Sequence, residues 1–100
     1  MPASVVEMHF VCRDDLNVTD FGDGTFETGV WYVSAEAAQT VRTVALHENK
    51  EQPSYRQGRV IGRRSTIYEG KTRFIFHVRD DRRPIAWAGG GSGEKGYVRR

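Results

Sequence analysis

Two alternating runs, "RVIGRRSTIY" and "TRFIFHVR", are separated only by Glu69, Gly70 and Lys71. Side chains of a strand point alternately to its two faces, so Phe74, Phe76 and Val78 share one face while Arg73, Ile75, His77 and Arg79 share the other. A tight turn between such runs predicts a β-hairpin. By the same alternation Arg59 and Arg63 fall with Ile61, and Gly62 marks a bulge or a close backbone approach.

Other segments carry strand signals too. Val6, Met8, Phe10 and Cys12 alternate within Val5 to Cys12, which reads as a half-buried strand. "RDDLNVTDFGDGT" has the turn chemistry of a long loop or an irregular hairpin connection, and β-branched and aromatic residues predict a strand from Phe26 to Val33. Ser34 is a good N-cap, and the alanines of "AEAAQTV" with an early Glu36 predict a two-turn helix, Ala35 to Arg42. "TVALH" returns to strand, "ENKEQPSYRQG" is a loop, "DDRRP" a turn, "IAWA" a short strand and "EKGYVRR" a candidate edge strand. The expected fold class is mainly β (α+β), a small curved sheet or β-barrel with one or two short helices.

At 100 residues the chain suits one domain, with 88–96 expected to be a flexible glycine-rich segment. Apolar residues make up only 38%, so the core should be thin. Neither a membrane span nor a signal peptide is read from the sequence, and a cytoplasmic location is the expectation. The single cysteine, Cys12, excludes an internal disulfide and a CxxC motif. Residues 1–50 carry three basic against eight acidic side chains, whereas residues 51–100 carry twelve basic against five acidic. That polarity favours a polyanionic partner, although interleaved strands can mix the signs.

Several motif matches fail on context. Gly91-Ser92-Gly93-Glu94-Lys95-Gly96 spells G-x-G-x-x-G, but only four residues follow it, too few for the helix a dinucleotide site requires. His9, His47 and His77 are too far apart for short metal-ligand spacings, and Asp14-Asp15 and Asp80-Asp81 read as solvated turn residues. No metal or cofactor is expected. Trp31 and Trp87 are ordinarily core residues; the functional alternative is that one lines a pocket where a base stacks, with Tyr32 or Tyr55 beside it. Arg56, Arg59, Arg63, Arg64 and Arg73 surround the central hairpin and are candidate phosphate contacts, weighed against a plain solvated sheet face.

The order "GVWYVS", "AEAAQTV", "VALHENK", a Pro-containing loop and "GRVIGRR" resembles the PUA-like superfamily, especially EVE-type domains, over Thr28 to Val78. Arg42-Thr43 stands where that family has Gly-Asp before the corresponding strand. The resemblance implies a small β-barrel that binds RNA or modified DNA, with a base in an aromatic-lined pocket. By position, Trp31, Ser34, His47, Asn49, Lys50, Ser54 and Tyr55 are then the ligand-binding candidates, and no catalytic residue is implied.

Three functional expectations follow. The first is a non-catalytic nucleic-acid-binding module with an aromatic-lined pocket and an arginine-rich surface. The second is a regulatory or protein-interaction domain that docks a protein partner, or a second copy as a homodimer, through a sheet edge. The third is a nucleotide-processing enzyme with His47 as base and Lys50 or Arg56 as anion clamp, which requires a buried pocket where His47 faces a carboxylate or a backbone carbonyl.

Overall fold

The computed structural model describes residues 3–89 and 93–100. Among these, the elements are β1 (Val5–Val11), β2 (Val18–Asp20), β3 (Thr25–Trp31), α1 (Ala35–Thr40), β4 (Thr43–His47), β5 (Arg56–Tyr68), β6 (Lys71–Asp80) and β7 (Lys95–Arg99), with a 3-10 turn at Arg13–Asp15. The strands form one mixed sheet in the order β2-β3-β6-β5-β4-β1-β7. β1 and β4 are parallel, and every other neighbouring pair is antiparallel. The fold is thus mainly β, a small curved sheet of the kind expected. The sheet is open, with β2 and β7 as its edges.

The hairpin predicted from the alternating runs is β5–β6. Glu69 and Gly70 take φ values of 52° and 76°, the left-handed pair that matches the twist of a tight hairpin turn. Register then runs from Tyr68 opposite Lys71 to Gly58 opposite Asp80, with a slip between Val60 and Gly62. That slip corrects the reading of strict alternation, because one extra residue reverses the faces beyond it. Arg59 lies opposite Arg79 and Arg64 opposite Ile75, so both stand on the His77 face. Arg63 lies opposite Phe76 and turns to the core side, where its Nη1 donates to the Ala38 carbonyl at 2.7 Å. A second slip, between Val5 and Glu7 in the β1–β7 pairing, puts Val5 rather than Val6 in the core.

The core lies on one face of the sheet. Met8, Phe10, Phe26, Val44, Leu46, Phe76 and Val78 meet there, and α1 covers them with Ala37 and Ala38, followed by Val41. Ser34 caps the helix as expected, its Oγ accepting from the Ala37 amide at 3.1 Å. The helix ends at Thr40, short of the expected Arg42, because Val41 is already extended and Thr40 Oγ1 donates to the Val5 carbonyl at 2.7 Å. No helix among the described residues is long and apolar enough to cross a membrane.

The opposite face of β1 and β4 is covered by irregular chain. Residues 81–89 contain no strand, contrary to the reading of "IAWA"; they form a strap held by reciprocal bonds from Ser54 N to Ile85 O at 2.8 Å and from Ile85 N to Ser54 Oγ at 2.9 Å. Of the glycine-rich segment, residues 90–92 lie outside the described part. Gly89, with φ of 101°, is pressed so closely on Tyr97 that a Cβ would sit 2.6 Å from its backbone nitrogen.

Two glycines of β5 give a contrasting pair of outcomes. A Cβ on Gly58 would overlap the Arg79 carbonyl oxygen, whereas one on Gly62 would meet His77 Cβ at an ordinary 3.5 Å. Gly58→Ala is expected to cost about 1–3 kcal/mol by overpacking, and Gly62→Ala less than about 0.5 kcal/mol. Urea unfolding of the two variants checks this; equal midpoints would contradict the close β5–β6 approach at Gly58.

Candidate binding site

The curl of the sheet leaves a seam near its two open edges. There the end of β3 and the next residue (Trp31, Tyr32), the end of β1 (Val11 to Arg13) and the start of β7 (Lys95) meet the tip of the β5–β6 hairpin (Tyr68, Arg73) around a cavity of about 380 Å³. Lys95 Nζ bridges the gap by donating to the Tyr32 carbonyl at 2.7 Å. Trp31 is fixed from behind, its ring stacked on Phe10 at 4.0 Å between centroids and its Nε1 donating to Thr28 Oγ1 at 3.0 Å.

Cations crowd this seam. Lys71 Nζ, Arg73 Cζ and Lys95 Nζ lie 5.1, 5.7 and 5.7 Å from the centroid of the half-exposed Tyr32 ring, and Arg73 is also 5.2 Å from that of Tyr68. Such positions fall within the range of cation–π attraction. Arg73 Nε is buried and has no hydrogen-bond partner among the described residues. Burial, and then the charge of Arg73, hold the Lys95 ammonium below its ordinary pKa. The carboxylate in the lining, Glu94, is paired with Arg13 at 3.5 Å. A cavity with aromatic walls, an unmatched guanidinium donor and a destabilised ammonium suits a flat group carrying negative charge.

The expected site residues are scattered over the molecule. Trp31 and Arg73 are in the seam. Ser34 is used as the helix cap, Asn49 Oδ1 accepts from the Glu51 amide, and Ser54 is buried between Gln57 and Ile85. Tyr55 donates to the Cys12 carbonyl, behind the seam cavity that Cys12 lines. Among the arginines, Arg56 grips Asp15 with Nε and Nη2 at 3.0 and 2.9 Å, Arg64 reaches Glu27 at 3.2 Å, Arg63 bonds to α1 and Arg59 is exposed. Tyr32 had been noted only as a companion to Trp31, and Lys95 gave no signal. Lys95 reaches the site solely because β7 pairs with β1, a contact with no local trace in the sequence.

His47 belongs to a closed network on the covered face. Its Nδ1 faces the Gln52 carbonyl at 2.9 Å, its Nε2 faces His9 Nδ1 at 2.8 Å, and His9 Nε2 faces Glu7 Oε2 at 2.8 Å. A carbonyl only accepts, so His47 Nδ1 carries a proton. The hydrogen bond between the two imidazoles then has His47 Nε2 as acceptor when that ring is neutral. The Trp87 ring closes over both histidines at 5.7 and 5.0 Å, with Lys50 Nζ 5.3 Å above it. Both histidines are wholly buried, and His47 does face a carbonyl, but neither lines the seam. Among the described residues no group of three or more His, Cys, Asp or Glu is placed to hold a metal ion. No family model matches the chain, and neither the curated proteins nor the solved structures include a significant match to it.

The histidine network sets a pH dependence. Burial holds the His47 pKa below its ordinary value; the Gln52 carbonyl opposes this, and the neighbouring His9 adds to it. The unfolded chain therefore binds a proton at His47 more readily than the folded chain does. This contribution is present above pH of about 6.5 and is lost as pH falls below it. The urea midpoint of the wild type is expected to drop between about pH 6.5 and 5, with a shallower drop in His47→Gln. A wild-type midpoint that is flat or rising on acidification would contradict this.

Proposed function

We propose that the protein is a non-catalytic nucleic-acid-binding module that holds one base in the seam cavity. The base lies against Tyr32 and Tyr68, and the adjoining phosphate is taken by Arg73 and Lys95, assisted by Lys71. The observation that carries this reading is the Arg73 guanidinium, flanked by the rings of Tyr32 and Tyr68 beside Lys71 and Lys95. A guanidinium is a strong donor to phosphate oxygens, and an exposed aromatic ring supplies a sequence-tolerant stacking surface. The resemblance to the PUA-like superfamily implies the same ligand class, RNA or modified DNA. The pocket proposed here retains Trp31 and Arg73 from the expected residues and draws its other contacts from the hairpin tip and β7.

Labelled single-stranded RNA and modified DNA, titrated at two salt concentrations, test the reading. Binding is expected to weaken with salt, since phosphate neutralisation releases counterions. Tyr32→Ala should weaken it by about fivefold to 150-fold, the range of one lost stacking contact. Arg73→Ala should lower both the affinity and its salt dependence. The alternative, a protein-docking domain, draws on Ile67 and Tyr68, which are 70% and 48% exposed at the hairpin tip. Absence of nucleic-acid binding, together with a protein partner that survives nuclease treatment, would favour it.

A further inference from the structure

The seam cavity has neighbours along the molecule. Tyr32 also forms the wall of a second hollow, about 380 Å³, between α1 and β7, with Ser34, Ala37, Tyr97 and Arg99 among its lining. Past the other end of α1 is a third hollow of about 500 Å³, lined by Gln39, Thr40, Arg42, Arg63 and Arg100 together with Ser4. The second and third have no lining residue in common but are bounded by successive residues of the same chain segments. Val5 and Arg99 line one while Ser4, Val6 and Arg100 line the other, where Ser4 and Arg100 are joined by reciprocal backbone bonds at 3.0 and 2.9 Å. α1 runs beside both, giving Ala37 to the former and Gln39 and Thr40 to the latter. Neither hollow has an aspartate or glutamate in its lining.

We infer that the three hollows form one path for a single-stranded nucleic acid several nucleotides long, with bases on Tyr32 and Tyr97 and phosphates on Arg99, Arg42 and Arg100. This rests on the reading of the seam as a base pocket and extends it to the ligand class. A single strand fits because a duplex hides its base faces in the stack, leaving the tyrosines of the hollows nothing to cover. Several nucleotides are needed because Arg100, just past the end of β7, is five residues from Lys95 at its start, about 17 Å at the rise of a strand and further than one nucleotide reaches. The molecule's greatest extent is 34 Å, which limits the path to the short end of single-strand site sizes, about four to eight nucleotides. Arg63 is pinned to the Ala38 carbonyl, so the movable contacts are Arg42 and Arg100, both exposed.

Oligouridylates of increasing length, titrated against the full chain over a range of salt, test the path. Affinity should climb with length and level off at about four to eight nucleotides. Arg42→Ala combined with Arg100→Ala should bring that plateau to shorter lengths and reduce the salt slope by about 1.4, from two lost phosphate contacts at roughly 0.7 each. Binding of the shortest ligands should be unchanged. Arg73→Ala should instead weaken binding at every length. If Arg73→Ala weakens binding while the double variant behaves as wild type, the path is wrong and the seam pocket stands. Tighter binding of a duplex than of its separate strands also overturns the path. If no length binds, both readings fail.

Discussion

β1 and β4 run parallel in the sheet, and both of their faces are buried. On one face Met8, Phe10, Val44 and Leu46 join the apolar core; on the other His9, Ala45 and His47 are sealed from water. Burying imidazoles is costly unless each ring nitrogen has a partner. The 48–55 loop must therefore bring the Gln52 carbonyl to His47, and residues 81–89 must lay Trp87 across the pair. The strap is anchored in turn by the buried Ser54 and Gln57, the latter bonded to Asp80 at 3.2 Å. The polar loop between β4 and β5 thus works mainly as cover for the sheet.

Part of the charge polarity along the chain is taken up in the fold. Acidic residues of the first half meet arginines of the second wherever β2 and β3 approach β5: Asp15 and Asp20 hold Arg56, and Glu27 holds Arg64. Arg56 also lies over the Phe26 ring at 5.5 Å, which fits it for a fixed structural role. The seam draws on a different set, Lys71, Arg73 and Lys95, which gather around the Tyr32 ring.

Local patterns were legible where a strand follows its period without interruption. The hairpin, its turn at Glu69-Gly70, the capped helix and the edge strand β7 all follow from residue type and spacing. Legibility ended at the bulges. One extra residue near Ile61 moved Arg63 to the core side, and another near Val6 exchanged it for Val5, changes that depend on pairing partners rather than local preference. "IAWA" has strand composition, yet Trp87 is required over the histidines, and a tertiary demand overrides a propensity worth about 1 kcal/mol at most. For the site, Trp31 and Arg73 were visible as residue types. Their meeting with Tyr32, Tyr68 and Lys95 was not, because it depends on how far the sheet curls.

At the seam Lys71, Arg73 and Lys95 are gathered around a single tyrosine ring. Lys95 is partly desolvated and stands near Arg73, and the buried Nε of Arg73 forgoes a hydrogen bond worth about 1–3 kcal/mol when left unmade. An exposed lysine in water would carry neither penalty. An anion beside Lys95 and Arg73 would offset the repulsion between them. On the reading proposed above, the two cations would act together on one anion, and the aromatic walls would favour an anion with a flat group attached.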